Sequence, residues 1–282
     1  MIEQKLQQLS TEEKIKLIRK IYADDIDKFF QNCVVTLDEH DKSGNPYKKI
    51  PYHWAYIPEL VHTFLQNPWV LVWKSRQILA TWTAMAYALW ICMFHEGKKV
   101  AIQSKKSDDA DALIQRIKVI WDKLPAWKPK AEFSYCRVKF PELGSDIYGI
   151  PQGPEQARSY TFSCFISDEY GFQEKTQETF SAVKPIVDGG GQFIAITTPP
   201  REKNFSYVCK KTQMDSLKYS RFITPDDQIE MKSGKLTLKK VGRLMIGIEK
   251  MNSRWCSLEL LVCSVILAIV YTLMLALSTI VI

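Results

Sequence analysis

Tyr160-Thr-Phe-Ser-Cys-Phe-Ile-Ser-Asp-Glu-Tyr-Gly-Phe172 decides the reading of this 282-residue chain. Phe162 to Ile166 is a short, mostly apolar run with the character of a strand buried inside a sheet. It stops at two acids, Asp168 and Glu169. Carboxylates are seldom fully buried without a partner, so a pair just past a buried strand points to a cation. In open α/β sheets, ligands bind beyond the carboxyl ends of the strands. An apolar strand ending in Asp-Glu therefore has the form of a Walker B segment. Its first acid holds Mg²⁺ through the ion's water shell, and its second orients and polarises the attacking water. The plainer reading is a strand that runs into an acidic turn.

A Walker B segment calls for a phosphate loop after an earlier strand. Trp69-Val-Leu-Val-Trp73 reads as a buried strand, Lys74 to Ala80 as a loop, and Thr81 to His95 as a helix. That helix is almost entirely apolar but shorter than the roughly 20 residues that span a bilayer, so it belongs inside a domain. The P-loop pattern is G-x-x-x-x-G-K-[ST]. Anchored on Thr81, the window is Lys74-Ser-Arg-Gln-Ile-Leu-Ala-Thr81, with Lys74 and Leu79 in place of the glycines and Ala80 in place of the lysine. Backbone N–H groups and a helix N-terminus supply most of such a cradle. The Thr81 hydroxyl is in place for Mg²⁺, and Lys74 or Arg76 can bring the missing cation. The alternative is an ordinary strand-to-helix loop carrying two solvated cations. Downstream, Gln192-Phe-Ile-Ala-Ile-Thr-Thr-Pro-Pro200 reads as a strand that ends in two hydroxyls, Thr197 and Thr198, before prolines stop the ladder. A hydroxyl there can sense a terminal phosphate.

The remaining pattern fits around these three pieces. Residues 1–31 have apolar positions at helical spacing and read as one or two amphipathic helices, a lid or docking arm. Asp41 to Pro46 is a loop and Tyr56 to Gln66 a helix. Lys99 to Gln103 reads as a strand and Ser107 to Leu124 as a helix, with Asp108 and Asp109 in its first turn. Phe133 to Phe140 alternates like one strand, Asp146 to Ile150 forms another, and Pro151 to Arg158 is a loop. Glu174 to Val187 is helical, and Asp188 to Gly191 is a sharp turn. Strands alternating with helices give an α/β fold with a P-loop NTPase-like parallel central sheet flanked by helices. An N-terminal helical arm precedes the sheet and an apolar C-terminal helix follows it.

Composition narrows the function classes. Seven cysteines without C-x-x-C spacing fit reduced thiols and argue against a disulfide framework or a zinc site. The four histidines form no metal-binding pattern. Met1 to Lys20 is a charged helical pattern, not a secretory signal. The net charge of +7 is uneven: residues 1–200 are nearly neutral and the excess sits in 201–254. A basic segment suits DNA or an anionic membrane face equally well.

Three stretches together resemble the ATPase domain of a tailed-phage terminase large subunit, the DNA-packaging motor. They are Val72-Trp-Lys-Ser-Arg-Gln-Ile-Leu-Ala-Thr-Trp82, Ile166-Ser-Asp-Glu-Tyr-Gly-Phe172 and Phe193-Ile-Ala-Ile-Thr-Thr-Pro199. Lys99-Val-Ala-Ile-Gln-Ser104 and Arg158-Ser-Tyr-Thr-Phe162 add to them, and the resemblance covers residues 50–200. The family often has a deviant Walker A loop with its basic residue early, as Lys74 and Arg76 are here. The resemblance implies that Lys74, Ser75, Arg76, Gln77 and Thr81 line the ATP phosphates, with Thr81 and Asp168 on Mg²⁺. It implies Glu169 as catalytic base, Arg76 as a stabiliser of developing charge, and Thr197 and Thr198 as the coupling segment. Arg158 reads as a loop-fixing residue. The implied partners are double-stranded DNA, a portal protein and a terminase small subunit, in a ring homo-oligomer in the host cytoplasm.

The expected organisation is a helical arm (1–50), an ATPase domain (51–212), a basic extension (213–254) and a hydrophobic tail (255–282). Leu260 to Ile282 has no charged residue and passes the threshold of about 18 for a transmembrane candidate. The expectation is a frameshifted or truncated coding sequence that replaces a nuclease domain, so no DNA cleavage is expected from this chain. A genuine membrane tail is the rival reading. A helicase-like ATPase and an inactive, membrane-tailed remnant are the other functional readings.

Overall fold

The parity of the apolar residues builds the sheet. In Trp69–Trp73 (β3), Lys99–Ser104 (β4), Cys164–Asp168 (β8) and Gln192–Thr197 (β9), the even-numbered residues Val70, Val72, Val100, Ile102, Cys164, Ile166, Ile194 and Ile196 share one core. The odd-numbered Trp69, Leu71, Trp73, Ala101, Phe165, Phe193 and Ala195 share the other. Successive strand side chains point to opposite faces, so a sheet covered on both faces needs apolar residues at both parities.

The computed structural model describes residues 9–74 and 76–198. Beyond them it describes only the backbone of four strands: Ser220–Ile223 (β10), Glu230–Lys232 (β11), Lys235–Thr237 (β12) and Leu244–Ile248 (β13). The expected apolar tail, 255–282, lies outside the described residues. Among the described residues, no helix is long and apolar enough to cross a membrane.

The central sheet has the order β10-β13-β3-β9-β8-β4-β7-β6-β5, where β5 is Glu132–Ser134, β6 is Arg137–Phe140 and β7 is Ser145–Pro151. Strands β3, β9, β8, β4 and β7 run parallel. The outer pairs on both sides are antiparallel. All five parallel strands therefore end at one edge. Trp73 pairs with Thr197, Asp168 with Ile196, Gln103 with Ser167, and Ser104 with Pro151.

Helices cover both faces of the parallel sheet. The chain leaves β3 through Ala80–Phe94 (α4) to β4, and β4 through Ser107–Lys123 (α5) toward β7, with both helices on the even-numbered face. It returns through Pro154–Ser159 (α6) and Thr176–Asp188 (α7), which bury Ala157, Ala182, Val183 and Val187 on the odd-numbered face. Nearly all of α4 is buried, including Met85, Leu89 and Met93 at 0–1% exposure, which explains its apolar composition without a membrane.

The N-terminal segment packs onto this body. Thr11–Asp24 (α1) starts with a capping box, in which Ser10 Oγ accepts from the Glu13 amide and Glu13 from the Ser10 amide. Ile26–Cys33 (α2) and Tyr56–Gln66 (α3) bury Phe29, Phe30, Ile57, Leu60 and Phe64 in the same core as α4. Val35–Leu37 (β1) and Tyr47–Lys49 (β2) form a small hairpin between them.

Two sequence expectations are corrected here. Phe133 to Phe140 is not one strand but two, Glu132–Ser134 (β5) and Arg137–Phe140 (β6), folded back antiparallel. The turn holds Cys136 at φ 53°, and its amide donates to Asp111 on α5 over 2.7 Å. A tertiary contact makes this turn, so no Asn-Gly or Asp-Gly signal marks it. Pro151 to Arg158 is not all loop, because Pro154 opens the short helix α6 from the position proline tolerates best. The turn before β9 needs glycine for space: a Cβ on Gly191 would lie 2.8 Å from Ile186 Cγ2 and from the Ile186 carbonyl oxygen.

Candidate functional site

The same parity decides which polar residues meet at the carboxyl edge. Asp168 continues Cys164 and Ile166, so it faces the N-terminus of α4. Thr198 continues Ile194 and Ile196 to the same side. The Thr81 hydroxyl donates to Asp168 Oδ1 over 3.1 Å. Lys74 Nζ lies 3.4 Å from Glu169 Oε1, and the Thr198 hydroxyl donates to Glu169 Oε2 over 3.3 Å. The Lys74 side chain is 8% exposed and that of Glu169 39%, so the cation is the more deeply held partner. Lys74 is also tied down through its backbone, whose N–H donates to the Thr197 carbonyl at 2.9 Å.

The loop that brings Lys74 and Thr81 together is bent sharply. Gln77 has φ 63° and Leu79 φ 60°, both left-handed, and Glu169 has φ 49°. Among the described residues only four non-glycine residues have positive φ, and three of them are at this edge. Left-handed backbone costs a non-glycine residue about 1–2 kcal/mol, and such strain gathers at functional sites. Leu79 thus adopts the geometry that a glycine would make easy. Ile78, 4% exposed, anchors the loop in the core. Arg76 and Gln77 lie exposed on it, and Ser75 falls outside the described residues. Leu79 gives no side-chain cap to α4, which leaves the first N–H groups of that helix for an outside acceptor.

Asp168 is 7% exposed. Burial pushes its carboxyl up to about 6, Glu169 adds to the push, and Lys74, the Thr81 hydroxyl and Arg116 oppose it. A bound cation would relieve this strain on the ionised form. The donor set fits Mg²⁺, a hard ion that takes carboxylate and hydroxyl oxygens. The uncapped α4 terminus and buried Lys74 fit a phosphate chain beside it. Among the described residues, no cluster of three or more His, Cys, Asp or Glu offers a cage for a metal held by protein alone. The donor set agrees, since Mg²⁺ is usually shared with substrate phosphates.

Sequence reasoning passed over a second polar layer. On the odd-numbered face, Gln103 Nε2 donates to the carbonyls of Pro151 and Gly153 at 3.2 and 3.0 Å. Ser167 donates to Gln103 Oε1 at 3.4 Å, and Gln173 Nε2 donates to Ser167 Oγ and to the Asp168 carbonyl, each at 2.9 Å. The Thr197 hydroxyl accepts from the Gly171 amide at 3.0 Å and donates to the Thr198 carbonyl at 2.8 Å. Thr197 therefore braces the turn after the acids, while Thr198 touches the acid itself. A polar residue at the last inward position of an apolar strand, as Gln103 is, was the available signal. Arg158 is exposed and pairs with Glu155 at 3.6 Å within α6. A cleft of about 380 Å³ lies along the same edge beside Gln152, Glu155, Glu174 and Lys175.

No family model and no curated protein matches the sequence. Among solved structures, the chain is similar to the HK97 bacteriophage large terminase, with 10% identity and a TM-score of 0.49 over 64% of this chain and 38% of that one. It is also similar to the ATPase domain of the Thermus phage P74-26 large terminase, with 16% identity and a TM-score of 0.42 over 56% of this chain and 70% of that one. The chain therefore spans well under half the length of the HK97 large terminase.

Proposed function

We propose that the carboxyl edge of this sheet binds a nucleoside triphosphate, ATP, with Mg²⁺ and hydrolyses it. The observation that carries the reading is the junction of three distant segments, in which Thr81 meets Asp168 while Lys74 and Thr198 both hold Glu169. Thr81 and Asp168 are the groups that hold the metal. Mg²⁺, when bound, neutralises charge on the β- and γ-phosphates. The α4 amides and Lys74 receive phosphate oxygens, with Ser75, Arg76 and Gln77 as further loop contacts and Arg76 as the second loop cation. Glu169 orients the attacking water and accepts its proton, held in place by the Thr198 hydroxyl. In the structure Lys74 is engaged by Glu169. A phosphate chain competing for Lys74 would free the Glu169 carboxylate, so substrate entry and activation of the base would be one event.

The work we propose for this turnover is packaging of double-stranded DNA, with a portal protein and a small terminase subunit as partners, in the host cytoplasm. Support for that step is the ordered run of three motifs given above. ATP binding and turnover by the full-length chain, with Glu169→Gln as control, test the chemistry. The expected result is turnover that the control loses while it still binds ATP. Absence of both binding and turnover would sink the reading. Stimulation by procapsids carrying a portal, beyond that by DNA alone, tests the packaging role against a helicase-like one.

A further inference from the structure

The turn that carries Glu169 is closed by a side chain. Glu169 stands between Asp168, the last residue of β8, and a short helical turn at Tyr170–Phe172. Its φ of 49° is left-handed, a strained conformation for a residue with a Cβ. Hydrogen bonds on either side of it hold that conformation. The Phe172 amide donates to the Glu169 carbonyl at 2.9 Å, and the Gly171 amide donates to the Thr197 hydroxyl at 3.0 Å. Gln173 Nε2 donates to the Asp168 carbonyl at 2.9 Å. That last bond fixes the peptide between the two acids, and the φ rotation of Glu169 begins at that peptide. With the peptide held, the turn cannot relax by swinging the Glu169 carboxylate away from Lys74 and Thr198.

The same carboxamide ties the turn to the central strands. Gln173 Nε2 also donates to Ser167 Oγ on β8 at 2.9 Å, and Ser167 donates to Gln103 Oε1 on β4 at 3.4 Å. Gln173 is 6% exposed, and its Oε1 is buried with no hydrogen-bond partner among the described residues. A buried acceptor without a donor is costly. That cost offsets part of what the two donated bonds contribute, so the clearest effect of the amide is on the direction of the turn.

We infer that Gln173 is a positioning residue for the base. It works from the odd-numbered face of the sheet, and the Asp168 side chain is on the other. Its donated bonds go to a hydroxyl and a backbone carbonyl, not to Lys74, Thr81 or the acid side chains. It acts by holding the Asp168–Glu169 peptide, so that the Glu169 carboxylate stays where it orients the attacking water. The inference rests on the hydrolysis reading above. The rival role is a packing brace for β8 with no bearing on the chemistry.

Single-turnover ATP hydrolysis and equilibrium ATP binding by the full-length chain, both with Mg²⁺, separate these roles. The variants are Gln173→Met, which keeps the length but cannot donate, Glu169→Gln, and the two combined. Gln173→Met should slow turnover about 10–100-fold, the scale of a small misplacement of a reacting group, and change ATP affinity less than about twofold. In the Glu169→Gln background it should slow turnover less than about twofold further, because the group through which it acts is already gone. Unchanged turnover in folded Gln173→Met overturns the inference. So does a loss of ATP affinity as large as the loss of turnover, or the same fold-loss in both backgrounds. If Gln173→Met does not fold, Gln173→Asn, polar but too short to reach the Asp168 carbonyl, decides by the same readings. In all these outcomes the wild type turns over ATP and the hydrolysis reading stands. A wild-type chain without turnover overturns both.

Discussion

The Thr81 hydroxyl donates to Asp168 Oδ1 across 3.1 Å, although the two residues are 87 positions apart in the chain. Thr81 is held by the first turn of a buried helix and Asp168 by the last residue of a central strand, so neither is on a freely moving loop. Two rigid elements fix the contact, which suits a site where small displacements are costly.

Asp168 should make the ligand-free protein less stable as pH rises. Its carboxyl is raised from 3.8 to about 6 by burial first and Glu169 second. The folded state then holds a proton that the unfolded state has lost between these values. The stabilising contribution is complete below pH 4 and disappears as pH rises through 6. Asp168→Asn should therefore stabilise the metal-free chain at pH 8 by up to about 3 kcal/mol, the worth of roughly two pK units, and by nearly nothing at pH 4. Urea unfolding at the two pH values, with chelator present, measures this. An equal effect at both would contradict it.

Glu169→Gln should reduce turnover by about 10²–10⁴-fold, the usual worth of a positioned general base. Nucleotide affinity should persist or rise, because Lys74 is released from its ion pair. Lys74→Ala should lower affinity instead. Single-turnover kinetics beside equilibrium binding distinguishes the two patterns, and matching defects in both variants would refute the division of roles.

Gln103→Leu should destabilise the chain without touching the proposed ligand. It removes the acceptor of the buried Ser167 hydroxyl and the donor to the half-buried Pro151 and Gly153 carbonyls, at a position that is itself 0% exposed. Each lost partner of a buried group costs about 1–3 kcal/mol. Chemical denaturation reads the loss, and an unchanged midpoint would show that the layer is not a stabilising one.

Gln77→Gly separates strain from contact. Gln77 is exposed with φ 63°, so glycine should stabilise the folded chain by up to about 1 kcal/mol. If its side chain serves the phosphates, ATP affinity should fall at the same time. Thermal melting and ATP titration of one variant give both answers. A stability gain with unchanged affinity would remove Gln77 from the site.

Much of the body of the fold was legible because periodicity is local. Trp69–Trp73 and Tyr56–Gln66 are bounded in the structure as the pattern bounds them. The strand ending at the acids is displaced by two residues, from Phe162–Ile166 to Cys164–Asp168, so Asp168 closes the strand where it was expected just beyond it. That shift matters chemically, because strand geometry then fixes the direction of the carboxylate.

The sequence by itself determined which residue types stand at each strand end: Lys74 after one apolar run, Asp168 with Glu169 after a second, Thr197 with Thr198 after a third. Which of them share a face was decided by strand pairing, because these strands are apolar at both parities and carry no alternation to read. Tertiary structure alone decided the strand order, which inserts β9 between β3 and β8 and so sets Thr198 beside Glu169. It alone brought Arg116 from a separate helix to Trp82, and bent Cys136 by way of Asp111. Those outcomes depend on contacts between segments far apart in the chain, and no local preference of either partner encodes them.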